Sequence, residues 1–108
     1  MIRLLVLGLA ALCFTAAPAQ AKDCKDFDIS GGYITALSVK KTGCGTGTSV
    51  AKAFTACRRE HGTRGRCTHK VKGFACSDKR MSIQTEFDGN VVCTKRSKRV
   101  SFSYQQNT

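Results

Sequence analysis

Cysteine and histidine, the residue types that most often bind zinc, lie close together in the middle of the chain. Their pattern is Cys57-x3-His61-x5-Cys67-x-His69. The spacing is not one of the usual zinc patterns, and in the oxidising compartment that an exported chain enters, such cysteines form disulfides. We therefore expect disulfide cysteines and exposed histidines, with no metal site and no cofactor.

The same two histidines are the candidates for general acid–base catalysis. Two histidines with a nearby lysine would suit RNA cleavage, but both fall in or beside one loop, and no second motif supports them. The acidic residues Asp23, Asp26 and Asp28 continue into no calcium-ligand pattern. Neither a Ser/His/Asp order nor a phosphate-binding glycine motif is present. The sequence thus favours a binding protein over an enzyme, and it offers no catalytic residue.

Positive charge is the strongest functional signal. The chain has 18 basic and seven acidic residues and a formal net charge of +11. Residues 57–72 contain six basic residues and one acid, and residues 95–99 contain four basic residues and no acid. Such a surface favours an anionic polymer as ligand, although a basic surface that only keeps the protein soluble is the competing interpretation. The candidate binding residues are Arg58, Arg59, Arg64, Arg66, Lys95, Arg96, Lys98 and Arg99.

The N-terminus has the pattern of a secretory signal peptide. Arg3 precedes an apolar run from Leu4 to Phe14, and Ala19-Gln20-Ala21 forms a cleavage triplet with small residues at both ends. The apolar run is too short to span a membrane. We expect cleavage after Ala21, so that residues 1–21 are a signal peptide, residues 22–108 form a single small disulfide-rich domain, and the protein is secreted or periplasmic.

Cleavage would leave six cysteines, an even number that three disulfides use completely. Three disulfides at about 2–4 kcal/mol each contribute as much as the whole net stability of a typical small domain. We therefore expect a structural role for all six. They are Cys24, Cys44, Cys57, Cys67, Cys76 and Cys93.

Hydrophobic periodicity predicts an α+β fold in which one amphipathic helix packs on a mainly antiparallel sheet. The predicted order is strand, helix and then four strands (β1-α-β2-β3-β4-β5). Residues 33–39 predict the first strand. The helix has an apolar stripe at Val50, Ala53, Phe54 and Cys57, with Thr46 or Thr48 as its cap and Gly62 as its end. Alternating apolar and polar residues predict the other strands near 71–76, 80–87, 91–94 and 99–104.

Three predicted loops, at 77–80, 88–90 and 95–98, keep the apolar residues of these strands on one face. That register buries Met81, Ile83 and Phe87, and it excludes a Cys76–Cys93 disulfide because a strand would separate the two residues. A Cys44–Cys57 disulfide is excluded because the two residues lie near opposite ends of the helix. The pairs that remain favoured are Cys44–Cys93, Cys57–Cys76 and Cys24–Cys67.

The order of motifs resembles that of small exported bacterial proteins that contain cysteines. The resemblance covers about residues 34–103 and is carried by Gly43-Cys44 before the helix, Gly73-Phe74-Ala75-Cys76, Val92-Cys93-Thr94 and Arg99-Val100-Ser101-Phe102. Lys95 stands where that pattern often has arginine, and Cys24, Cys57 and Cys67 are additions to it. The resemblance implies the fold and export, and no particular activity.

Together these observations predict an exported basic protein that binds an anionic polymer or a cell-envelope component. Nucleic acid is a less favoured ligand, because the aromatic residues that could stack on bases are needed in the core. The alternative is an inhibitor or interaction protein that docks on an exported enzyme, which would have to be acidic. A cationic antimicrobial protein or toxin is a weaker alternative, because the apolar stripe of the helix is needed for packing.

Overall fold

The computed structural model describes residues 20–83 and 85–107, so that most of the predicted signal peptide lies outside the described residues. The described residues form one helix and six strands. In chain order they are β1 (Lys22–Asp23), β2 (Phe27–Ile29), β3 (Gly32–Lys40), α1 (Cys44–Arg59), β4 (Ala75–Ile83), β5 (Glu86–Lys95) and β6 (Lys98–Asn107).

All strand pairs in the sheet are antiparallel, and the strand order is β1-β3-β6-β5-β4, with β2 also paired to β3. The predicted α+β fold, a helix on an antiparallel sheet, is confirmed. Helix α1 contacts β3 and β6 on one face of the sheet. The segment from residue 60 to residue 74 then runs beside β4, where the main-chain carbonyls of Arg64 and Gly65 accept hydrogen bonds from Arg80.

The predicted apolar stripe of the helix is confirmed for Val50, Phe54 and Cys57, which are all buried. The buried face extends further than predicted, however, because Ala51, Thr55 and Arg58 are buried as well. The helix also begins earlier. It starts at Cys44 with Gly43 as its N-cap and no side-chain cap, so the prediction that Thr46 or Thr48 caps it is wrong.

The buried face of β6 is as predicted, whereas that of β4 is not. Val100, Phe102 and Tyr104 are buried in β6. In β4, Met81 and Ile83 are 72% and 60% exposed. Residues 75–83 form one uninterrupted strand in which Cys76, Asp78 and Arg80 face the helix side, and alternation then sends Met81 and Ile83 to the other face.

The predicted loops at 77–80 and 88–90 are therefore wrong. Strand β4 ends at Ile83 and β5 begins at Glu86, so Asp88-Gly89 is inside β5. Gly89 is needed there because the ring of Tyr104 crosses the strand at this point. A Cβ atom at Gly89 would lie 2.2 Å from Cε1 of Tyr104. A glycine that usually marks a turn here makes room for an aromatic ring.

The described residues form three disulfides, and each differs from the predicted pairing. They join Cys24 to Cys44, Cys57 to Cys67, and Cys76 to Cys93. The exclusion of Cys76–Cys93 is wrong because the correct register puts Cys76 directly opposite Cys93, with Cα atoms 4.0 Å apart. The exclusion of Cys44–Cys57 agrees with the structure, in which both residues have other partners.

We expect peptide mapping of the unreduced protein to recover these three pairs. Basic residues lie between the partners of each pair, so trypsin cuts every disulfide loop. The mass of the denatured, unreduced protein should be lower than that of the reduced form by two hydrogen atoms per disulfide, six in all. A peptide that joins Cys44 to Cys93 would contradict the register of β4 and β5.

Candidate functional site

Three turns and the adjoining strand ends bring seven basic residues to one end of the sheet. Lys40 at the end of β3 pairs with Arg99 at the start of β6, and Lys95 pairs with Lys98 across the turn between β5 and β6. A further turn, at residues 71–74, brings Gly73 against the side chain of Lys95. We call this group the basic end. It consists of Lys40, Lys41, Lys72, Lys95, Arg96, Lys98 and Arg99.

The basic end carries unpaired charge. Six of its residues are exposed and Lys40 is half-buried. Within residues 20–83 and 85–107 the two ion pairs lie elsewhere, between His69 and Glu60 and between Arg80 and Asp78. The basic end therefore has seven cationic side chains that no carboxylate of the described chain neutralises.

Three residues of the basic end have backbones in the left-handed region. The φ angles are 55° at Lys41, 49° at Lys72 and 56° at Arg96. Each lies at a turn, and its left-handed backbone conformation costs about 1 kcal/mol that glycine or asparagine in its place would reduce. The chain thus has basic side chains at three strained positions of the same surface, and strain of this kind is concentrated at functional sites.

A depression of about 150 Å³ lies beside the basic end. Lys40 and Arg99 line it together with the hydroxyl-bearing residues Ser38 and Ser101, on the sheet face opposite the helix. Two cations and two hydroxyl groups are hydrogen-bond donors that suit a single phosphate, sulfate or carboxylate group.

The eight basic residues predicted from the sequence do not form one surface. Lys95, Arg96, Lys98 and Arg99 belong to the basic end. Arg59 lies toward the opposite end of the sheet, about 22 Å from the first residue along the 16 residues of the helix. Arg64 lies at the same end, because its guanidinium is 5.9 Å from the ring centroid of Phe87 near the start of β5. Arg59 donates to the carbonyl of Ser30 there, and Arg66 reaches the edge of β4 at the carbonyl of Asp78.

Arg58 is wrong as a ligand-binding residue because it is fully buried, with an exposed fraction of 0%. Its guanidinium carbon lies 4.1 Å from the ring centroid of Tyr104 and 5.6 Å from that of Phe87. Nη2 donates to Oε1 of Gln106 at 3.0 Å, whereas Nε and Nη1 have no hydrogen-bond partner among the described residues. Burial lowers the pKa of this guanidinium.

A polar cluster surrounds the hydroxyl of Tyr104 under the helix. The hydroxyl donates to Asp78 at 2.9 Å and accepts from Nε of Arg80, also at 2.9 Å. Arg80 donates from the same nitrogen to Asp78 at 3.0 Å. Burial raises the pKa of Tyr104 to about 12, and the Asp78 carboxylate adds to the shift. The phenol therefore stays protonated and donates across the whole physiological range.

Of the residues in the predicted zinc pattern, three come together. Cys57 and Cys67 form a disulfide, and Nε2 of His69 lies 3.3 Å from Sγ of Cys57. Neither His61 nor Glu60 belongs to this group, but a carboxylate oxygen of Glu60 lies 3.4 Å from Nε2 of His69. The Lys70 carbonyl and the Glu60 carboxylate raise the pKa of His69.

Sequence reasoning missed Lys40 and Lys41, which are distant in the chain from the other members of the basic end. Lys72 lies in a charge run of the sequence but is not among the eight predicted binding residues. Runs of charge along the sequence indicate only residues 57–72 and 95–99. The signal that could have found Lys40 and Lys41 is their position at a turn that follows a strand paired with β6.

No helix among the described residues is long and apolar enough to cross a membrane. In comparisons with known proteins, no protein-family model, curated protein or solved structure matches the chain. Its function must therefore be inferred from the geometry of the molecule itself.

We expect one tyrosine of the folded protein to ionise with a pKa of about 12, as measured by the ultraviolet absorption of tyrosinate. Tyr104→Phe should remove the ionisation step with a pKa of about 12. Tyr33→Phe, at a position that is 39% exposed, should leave that step in place. Since the folded pKa lies above the ordinary value of 10.0, Tyr104 stabilises the fold below pH 10 and loses that effect between pH 10 and 12. Two tyrosines that ionise together near pH 10 would contradict the buried cluster.

Proposed function

We propose that this protein is an exported binding protein, not an enzyme, and that its basic end engages an anionic polymer or an anionic component of the cell envelope. The observation that carries the proposal is the convergence of seven cations that no described carboxylate neutralises. Such a surface attracts polyanions through Coulomb forces and the release of their counterions.

The strained turns favour a binding surface over a basic surface that only keeps the protein soluble. A charge that serves only solubility needs no particular backbone. Lys72 and Gly73 both have positive φ angles in the turn between Val71 and Phe74, where asparagine–glycine is the favoured pair. Lysine at this position has a cost that a bound anion would offset.

The ligand groups we propose are the phosphate, sulfate or carboxylate groups of a polymer, recognised by charge and not by bases. Among the described aromatic residues, Phe74 is buried beneath the turn, and Tyr33 pairs with Gln105, toward the end of the sheet opposite the basic end. A base therefore finds neither of these rings at the basic end as a platform on which to stack.

Secretion or periplasmic export belongs to the same proposal. It is supported by the predicted signal peptide and by the three disulfides, which persist in oxidising compartments. The alternative of an inhibitor that docks on an acidic exported enzyme would use the same charge, and it requires a single protein ligand in place of a polymer. The antimicrobial alternative is disfavoured by the helix, because Val50 and Phe54 are buried against the sheet.

We expect a variant with four charges removed from the basic end to lose most of its retention on heparin, a sulfated polysaccharide. The substitutions are Lys72→Asn, Lys95→Gln, Arg96→Gly and Lys98→Gln. The slope of log affinity against log salt should decrease by about one unit for each anionic group of the polymer that is no longer neutralised. Asparagine and glycine relieve the two left-handed positions, so thermal stability should stay the same or rise while binding falls.

The matched control removes four charges elsewhere, by Lys25→Gln, Lys52→Gln, Arg64→Gln and Lys79→Gln. All four residues are exposed, and the net charge of the two variants is the same. The control should keep most of the retention and the salt slope of the original protein. An equal loss of heparin retention in both variants would show that binding follows net charge alone. Unchanged retention in the basic-end variant would show that this surface does not bind the polymer.

A further inference from the structure

Three ligand-bearing side chains meet where the helix ends and the following segment turns back, and a fourth, Glu60, lies beside one of them. The Cys57–Cys67 disulfide supplies two sulfur atoms, and one ligand atom from each of Cys57, Cys67 and His69 lies within 4.8 Å of the other two. Oε2 of Glu60 is 3.4 Å from Nε2 of His69. Glu60 is the residue that caps the C-terminus of α1, so the helix holds it beside Cys57.

Two of these distances already match the edges of a tetrahedral zinc site. Zinc bond lengths of about 2.3 Å to sulfur and about 2.0–2.1 Å to nitrogen or oxygen give edges of about 3.5 Å for S–N and about 3.4 Å for N–O. The observed distances are 3.3 Å from Cys57 Sγ to His69 Nε2 and 3.4 Å from His69 Nε2 to Glu60 Oε2. The remaining mismatch is the S–S bond itself, since two thiolates on one zinc lie about 3.8 Å apart.

The tautomer of His69 also suits a metal ligand. Nδ1 lies 3.0 Å from the main-chain carbonyl of Lys70, which can only accept a hydrogen bond, so Nδ1 carries the proton. Nε2 is the atom that faces Cys57 and Glu60, and in the ion pair with Glu60 it carries a proton that zinc replaces. A backbone carbonyl that orients the ring through its other nitrogen is the usual second contact of a zinc-binding histidine.

We propose that reduction of the Cys57–Cys67 disulfide creates a zinc site whose ligands are Cys57, Cys67, His69 and Glu60. A dithiol reductant supplies two electrons and two protons: the S–S bond of the protein breaks, two thiols form, and the reductant becomes a disulfide. Zinc then displaces both thiol protons and the Nε2 proton of His69 to solvent and binds two thiolates, one imidazole nitrogen and one carboxylate oxygen. The oxidised protein has no thiolate at this position and does not take up the ion there.

The site is open to both reagents. The side chains of His69 and Glu60 are 57% and 59% exposed, and Cys67 is only half-buried in the segment after the helix. Only this segment needs to move for the two sulfurs to separate, because Cys57 is held on the buried face of α1. This proposal uses residues outside the basic end, so it is independent of the proposed function.

The test treats the purified protein with a dithiol reductant, adds zinc chloride, and then measures the stoichiometry and affinity of zinc with a chromophoric competitor. We expect no uptake by the oxidised protein and one zinc ion per reduced chain. Alkylation followed by mass spectrometry should show that zinc protects Cys57 and Cys67 and leaves the thiols of the other two pairs reactive. His69→Gln should weaken binding at least tenfold.

The matched control is His61→Gln, which removes an exposed histidine of the same segment that lies outside the proposed site. It should bind zinc as tightly as the original sequence does. Equal affinities in the two histidine variants, protection spread over all six cysteines, or loss of helical circular dichroism on reduction without recovery on zinc addition would each overturn the proposal.

Discussion

The contact of Tyr104 with Gly89 is the interaction on which the packing of α1, β5 and β4 around Tyr104 depends. The ring crosses β5 at the residue that has no side chain, and this crossing carries the hydroxyl to Asp78 and Arg80 on the edge strand. The guanidinium of Arg58 packs on the ring, and Phe87 meets the same ring edge-on with centroids 5.8 Å apart. Helix, sheet and edge strand are therefore joined through one aromatic side chain. Any side chain at Gly89 would displace the ring of Tyr104. Arg80 would then lose the hydroxyl of Tyr104, one of the acceptors of its hydrogen bonds.

The elements that can be predicted from the sequence are those whose burial follows the apolar pattern. Val100, Phe102 and Tyr104 alternate with polar residues, and the helix has its stripe at Val50 and Phe54. The prediction is wrong for β4, where Asp78 and Arg80 face inward and Met81 and Ile83 face outward. Charged side chains can be buried when each has hydrogen-bond partners. For Asp78 and Arg80 one partner is the hydroxyl of Tyr104, which is distant in the chain, so the hydrophobic pattern of β4 does not reveal it.

The predicted disulfides are wrong because the predicted loops at 77–80 and 88–90 place an additional strand between Cys76 and Cys93. In the structure these loops are absent from β4 and β5, and the two cysteines are direct neighbours. The basic end depends on strand order in another way. The charge run at residues 95–99 is visible in the sequence, but its companions Lys40, Lys41 and Lys72 reach the same end of the sheet only through strand order and turns, which local charge runs do not contain.

The cysteines of the described chain are bonded in consecutive pairs along the sequence, first with second, third with fourth and fifth with sixth. No loop closed by one bond encloses a cysteine of another. Oxidation in sequence order from the N-terminus therefore gives the native set, and no cysteine has to bypass an earlier one to reach its partner. Disulfide exchange, in which a thiolate breaks one bond to form another, is not required to reach these three pairs.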